Sequence, residues 1–136
     1  MSTGLSATTF YSKTYDEAVA LLIEARDYVR DGGAAEGRYL EPDVRVLLSC
    51  ETLRLTTRLT EVMAWLLAQR ALHAGEISAA EARHDSHRLA AAELCLRETG
   101  AVSGYLPPRL KSLMERSEGL YRRVRRLDEM MMRGLD

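Results

Sequence analysis

Apolar residues recur along most of this chain at alternating steps of three and four, the spacing that places them on one face of an α-helix. The longest such run is Val44 to His73, which holds neither Gly nor Pro. At ~1.5 Å per residue, about thirty residues of unbroken helix measure ~45 Å. One line along it reads Val44, Leu48, Leu55, Leu59, Val62 and Leu66, with Thr52 in the gap. The opposite side is not the charged face expected of a surface helix. It carries Val46, Leu53, Thr57, Thr60, Ala64 and Ala71, at heptad-like spacing and mostly small. Two usable seams make the long helix a spine: one faces its own domain and the other meets something else.

The same spacing marks two shorter helices. Thr14-Tyr15-Asp16-Glu17 matches a capping box, in which the Thr hydroxyl and the Glu carboxylate each bond the other's backbone N–H. Tyr11, Tyr15, Ala18, Leu22, Ala25 and Val29 form the stripe of a first helix reaching about Arg30, with a start before the capping box left open, and residues 1–13 read as a flexible arm. Asp31-Gly32-Gly33 ends this helix, and Pro42 suits the first turn of the next. Gly75 closes the long helix. Ser78-Ala79-Ala80-Glu81 is a second capping box, opening a short helix from about Ala79 to Arg83. Arg88 to Thr99 shows no sustained stripe, although AAAELCL favours helix. Gly100 to Gly104 reads as a loop. Pro107-Pro108 opens a last helix on which Leu110, Leu113, Ser117, Leu120, Val124, Leu127 and Met131 keep a strict three-four alternation. The pattern predicts an all-α fold: an antiparallel three-helix bundle, one domain over 14–133, with one long central helix and a long connector before the last helix.

Composition agrees. The 136 residues are 46% hydrophobic and 29% charged, the balance of an ordinary soluble domain. Only 6% are aromatic, so Leu, Val, Met and Ala must build the core, which favours helices. A net charge of −1 gives no bulk attraction to nucleic acid or an anionic membrane. Cys50 and Cys95 have no metal or redox spacing and read as free thiols in a reducing cytoplasm. No signal peptide and no membrane-spanning run of ~18 apolar residues is apparent.

Candidate chemistry is sparse. Glu81, His84 and His87 would share a helix face, but a di-metal bundle site needs a second Glu-x-x-His and further inward carboxylates, which the chain lacks. Nucleophile elbows and phosphate-cradling Gly loops are absent as well. The chain is therefore expected to be no enzyme and to hold no metal or cofactor. Arg122, Arg123, Arg125 and Arg126 fan around the last helix rather than lining one groove. They read as a solvated, ion-paired face, with nucleic-acid contact as the rival. Arg54, Arg58, Glu61 and Trp65 lie together on the flank between the seams of the long helix. Arg and Trp are enriched in protein–protein hot spots, so these four are the candidate partner surface. Against this, Trp65 could be core and the arginines could pair with Glu51 and Glu61 at i,i+3 spacing. Leu53, Thr57, Thr60, Ala64 and Ala71 are the candidate self-association seam, because small side chains let helix backbones approach.

At these residues the chain resembles a known family. Arg54-Leu55-Thr56-Thr57-Arg58-Leu59, then Trp65-Leu66-Leu67-Ala68-Gln69-Arg70-Ala71 and Gly75-Glu76, are similar to the RcdA family of bacterial regulators of CtrA degradation. So are Leu106-Pro107-Pro108 and the following Leu110, Leu113, Arg116, Ser117, Leu120, Tyr121 and Arg126-Leu127-Asp128. The match runs from Thr14 to Asp128 in the same element order. The resemblance implies a small three-helix protein without catalytic activity, usually a homodimer. It also implies an adaptor that helps ClpX-ClpP reach cell-cycle regulators such as CtrA, with protease machinery, other adaptors or cargo regulators as partners.

Overall fold

A computed structural model describes residues 2–32, 36, 38–84, 87–90, 95, 104 and 106–134. Its elements are α1 (Ser2–Asp27), a π-helical turn (Tyr28–Gly32), α2 (Pro42–His73), α3 (Ala79–Ala82) and α4 (Pro108–Gly134). The chain is all-α, a helical bundle of α1, α2 and α4.

Side-chain pairs fix the directions. Tyr11 meets His73 while Tyr15 meets Arg70, so α1 and α2 run antiparallel. Glu17 pairs with Arg123 and Glu24 with Arg116, so α1 and α4 also run antiparallel. It follows that α2 and α4 point the same way: Arg58 reaches Ser117, and Trp65 reaches Asp128. Two parallel helices cannot be joined by a tight turn. The long connector exists because the chain must travel back along the bundle before α4 starts.

The core lies where the inward stripes meet. Leu48, Leu55, Leu59, Val62 and Leu66 of α2 are buried, as are Leu110, Leu113, Ser117, Leu120 and Val124 of α4. On α1 the buried line is Ala18, Leu21, Ala25 and Tyr28, one position off the expected Leu22 and Val29; Val29 is exposed. The Tyr28 hydroxyl donates to Glu36 at 3.1 Å, and Arg109 of α4 lies over its ring at 5.4 Å. The π-helical turn is thus anchored to the first connector and to the start of α4.

Two local expectations change. The first helix begins at Ser2, ahead of Thr14, so residues 2–13 belong to it. Thr14 is buried inside the helix, and its capping-box pattern marks no helix start. Tyr11 explains the extension. Its ring lies edge-on to Trp65 at 5.9 Å, a tertiary contact that supports helix upstream of Thr14 whatever the local propensity. The second capping box is real. Ser78 Oγ accepts the Glu81 N–H at 3.1 Å, and Glu81 Oε1 accepts the Ser78 N–H at 3.4 Å. Gly75 takes φ 76, the left-handed turn that a side chain would resist, and the polypeptide leaves α2 there. Of the expected ambiguous segment and loop, residues 91–94 and 96–103 lie outside the described residues.

Candidate functional site

The flank of α2 that carries Arg54, Arg58, Glu61 and Trp65 is covered, not open. Trp65 is 1% exposed, Arg54 and Arg58 are buried, and only Glu61 is partly accessible. Of the two readings of this quartet, the intramolecular one describes the folded chain, and the open partner surface does not. The physical cause is topological. Because α2 and α4 are parallel, Arg88, Ala90 and Cys95 of the connector lie over the groove between them and close this flank.

Arg58 is the centre of the arrangement. Its Nε donates to the Cys95 carbonyl of the connector, and its Nη1 to the Met114 carbonyl at 3.1 Å and Ser117 Oγ at 3.3 Å. One planar guanidinium therefore ties three segments, which a point-charge ammonium could not do. Burial pushes the Arg58 guanidinium below its ordinary range, the largest opposing influence being the charge of Glu118, yet arginine stays charged at any physiological pH. The i,i+3 pairing expected between the arginines and Glu residues holds for Arg54, whose Nη1 meets Glu51 Oε2 at 2.8 Å. Glu61 pairs with neither arginine; its Oε2 accepts the Ala90 N–H at 3.1 Å.

The connector is strapped at two further points. Tyr121 donates its hydroxyl to the Ala90 carbonyl at 2.6 Å. Asp128 accepts from Trp65 Nε1 at 3.0 Å and from Arg88 Nη2 at 3.1 Å. A buried carboxylate is tolerable when both oxygens are bonded in this way. Taken in order, Arg88, Ala90 and Cys95 meet progressively earlier positions of α2 and α4, so the strap runs opposite to both. Burial raises the thiol of Cys95 and the phenol of Tyr121 above their ordinary ranges, and both stay protonated at neutral pH.

Sequence reasoning missed Arg88, Ala90 and Asp128 as network members. The available signal was indirect: Ser117, Tyr121 and Asp128 stand in the same family-like motif set as Arg54, Arg58 and Trp65.

The outer side of α2 behaves differently. Val46, Leu53 and Leu67 are 64%, 67% and 49% exposed. Thr60 and Ala64 are exposed, and Thr57 and Ala71 are partly so. The accessible stripe also includes Cys50. Val46, Cys50, Leu53, Thr57, Thr60, Ala64, Leu67 and Ala71 then alternate steps of four and three along the helix. The Thr57 hydroxyl is spent on its own backbone, donating to the Leu53 carbonyl at 3.0 Å, so it asks for no outside partner. This seam is an apolar surface of α2 that the bundle leaves uncovered among the described residues.

The basic cluster of α4 is mostly neutralised. Arg122 pairs with Glu118 at 3.0 Å, Arg123 with Glu17, and Arg125 with Glu129 at 3.4 Å. Among the described residues there is no group of three His, Cys, Asp or Glu side chains able to hold a metal, and no helix long and apolar enough to cross a membrane. Asp85 and Ser86, within the His84–His87 motif, lie outside the described residues.

Comparison with known proteins places this geometry. A family described as "Protein of unknown function (DUF1465)" matches residues 3–136. Among solved structures, RcdA from Caulobacter crescentus CB15 is similar, with a TM-score of 0.65 and 30% identity over 89% of each chain. A search of curated proteins returned no match. With the family matched over almost its whole length and the RcdA fold shared at this identity, the chain belongs to the DUF1465 family, the RcdA-like helical bundles.

Proposed function

We propose that this protein is a non-catalytic adaptor of regulated proteolysis. It acts as a homodimer in the bacterial cytoplasm and helps bring cell-cycle regulators of the CtrA type to the ClpX-ClpP protease through protein–protein contacts. The observation that carries this reading is the membership of an RcdA-like family over almost the whole sequence. The buried groups of Arg58, Trp65, Ser117 and Asp128 support it in a second way: they are bonded to backbone and to one another across the bundle, the pattern of a rigid scaffold. Tethering needs no more than such a scaffold with two separate surfaces, since holding two partners together raises their effective concentration.

Self-association falls to the outer seam of α2, through Leu53, Thr57, Thr60, Ala64 and Ala71, joined by Val46, Cys50 and Leu67. A stable dimer buries about 800 Å² on each partner, and a helix of this length with a continuous stripe of short side chains offers a surface of that order. Leu53→Glu is expected to leave the helical content of the bundle unchanged and to convert the dimer to monomer in sedimentation. A wild-type protein that sediments as a monomer at high micromolar concentration would remove this assignment.

The adaptor reading itself is tested by affinity capture of the tagged full-length protein from its native cell, followed by mass spectrometry. Enrichment of protease subunits, another adaptor or a transcription regulator supports it. Recovery of none of these classes rejects it. The control is Leu53→Glu rather than a substitution of Arg54 or Arg58, because changes at the buried arginines would report on folding.

A further inference from the structure

Away from the strap and the outer seam, α1 and the last turns of α2 enclose a cleft of about 520 Å³. Its walls include Tyr11, Ser12, Tyr15 and Asp16 from α1, with Arg70 and His73 from α2. The volume is that of a ligand site rather than a packing fault.

The lining combines three kinds of recognition. The Arg70 guanidinium lies over the Tyr15 ring, 4.8 Å from its centroid. Stacking occupies the face of the guanidinium and leaves its N–H groups, which point outward in the plane, for an acceptor. Among the described residues none of the observed hydrogen bonds or ion pairs uses them. Asp16 lines the same cleft yet does not come within ion-pair distance of Arg70, so the fork is not neutralised from inside. The His73 ring packs on Tyr11 at 5.2 Å, which makes the floor aromatic and fixed. Ser12 and Asp16 add acceptor oxygens along one wall. A planar cationic fork, acceptors for N–H groups and an aromatic floor match a peptide: a carboxylate, a backbone amide and an apolar side chain.

We propose that this cleft binds a short peptide segment by its carboxylate. Arg70 takes the carboxylate, Asp16 and Ser12 take backbone N–H groups, and an apolar side chain rests on Tyr11 and Tyr15. The carboxylate belongs to an acidic side chain or to the peptide's own free C-terminus; the chemistry at Arg70 is the same for both. The site goes beyond the adaptor reading and stands on its own geometry. A failed titration beside a successful cellular capture would remove the cleft alone, and the converse would remove the adaptor role alone.

Trp65 supplies the readout. It is the one tryptophan of the sequence, and Tyr11 lies edge-on to it. The full-length protein is titrated with N-acetyl-Leu-Glu-Leu-amide and with N-acetyl-Leu-Gln-Leu bearing a free C-terminus. The control is N-acetyl-Leu-Gln-Leu-amide, which carries no carboxylate. Affinity is read by calorimetry and location by Trp65 emission. At least one carboxylate probe is expected to saturate and to change the emission, and whichever does so identifies the source. Arg70→Gln, at an exposed position, is expected to weaken that probe about tenfold with the helical content unchanged, the effect of one lost charge-assisted hydrogen bond. The proposal is overturned by equal affinity for the control peptide, or by an Arg70→Gln affinity within about twofold of wild type. Absence of saturation by about 5 mM, or calorimetric binding with no change at Trp65, overturns it equally.

Discussion

Arg58 holds a position at which chemistry and packing cannot be separated. Its three hydrogen bonds go to carbonyl and hydroxyl oxygens on two segments far apart in the sequence. Truncation would leave those acceptors facing a cavity. Arg58→Ala is therefore expected to cost about 3 kcal/mol in urea unfolding, with Arg58→Lys recovering only part of it. Gln69 predicts the opposite sign. It is buried, and its amide nitrogen has no acceptor among the described residues. Gln69→Met keeps the volume and removes the unbonded donor, so stability should rise by about 1 kcal/mol, seen as a higher Tm. The sequence marked Arg54, Arg58 and Trp65 as unusual but could not say which way they face. Periodicity places a residue on a flank of its own helix. It carries no information about what crosses that flank, and here the crossing segment has no stripe of its own.

Helices with one apolar stripe were legible in this sequence, and the segment between them was not. The bounds of α2 and α4 follow from Pro42, Gly75 and Pro108, and their stripes from three-four spacing. The start of α1 could not be read from Thr14, because the support for residues upstream comes from α2. The strap was illegible for a related reason. Its described residues Arg88, Ala90 and Cys95 are held by one or two hydrogen bonds each to other elements, which leave no local pattern. Tyr121→Phe tests this directly. Removing the hydroxyl frees the Ala90 carbonyl while leaving the α4 stripe intact. Amide exchange around Ala90 should accelerate about tenfold, as expected for the loss of one hydrogen bond of ~1 kcal/mol or slightly more, while exchange in the middle of α2 stays unchanged. Equal acceleration in both would mean that the strap and the bundle open as one unit.

On the scale of the molecule, α1 is held to α4 by surface pairs and to α2 by aromatic contacts. Hydrogen bonding from Arg116, more than charge alone, keeps the Glu24 carboxyl below its ordinary range, and the two oxygens meet the guanidinium at 2.6 and 2.7 Å. A depressed carboxylate stabilises the fold above the unfolded-state range. That contribution is lost as pH falls through the depressed value. Both side chains are nearly half exposed, so screening limits the pair to about 0.5 kcal/mol. Glu24→Gln should accordingly lower stability slightly at neutral pH and match wild type in strong acid, and added salt should shrink the difference. A loss of equal size at both extremes would assign the effect to packing.

The parallel placement of α2 and α4 has a consequence for the protein as it is made. Trp65 leaves the ribosome 63 residues before its acceptor Asp128. At ~5–20 residues per second that is a wait of roughly 3–13 s, during which the α1–α2 hairpin exists without its third wall. Throughout that interval the part of the inner face of α2 that packs on α4 is uncovered, and so is the outer seam. A nascent polypeptide in this state presents two sticky faces instead of one. Neighbouring copies on one polysome therefore meet at the risk of pairing through the wrong side. Expression at a reduced rate of translation initiation, which spaces the ribosomes further apart, is therefore expected to raise the yield of folded protein.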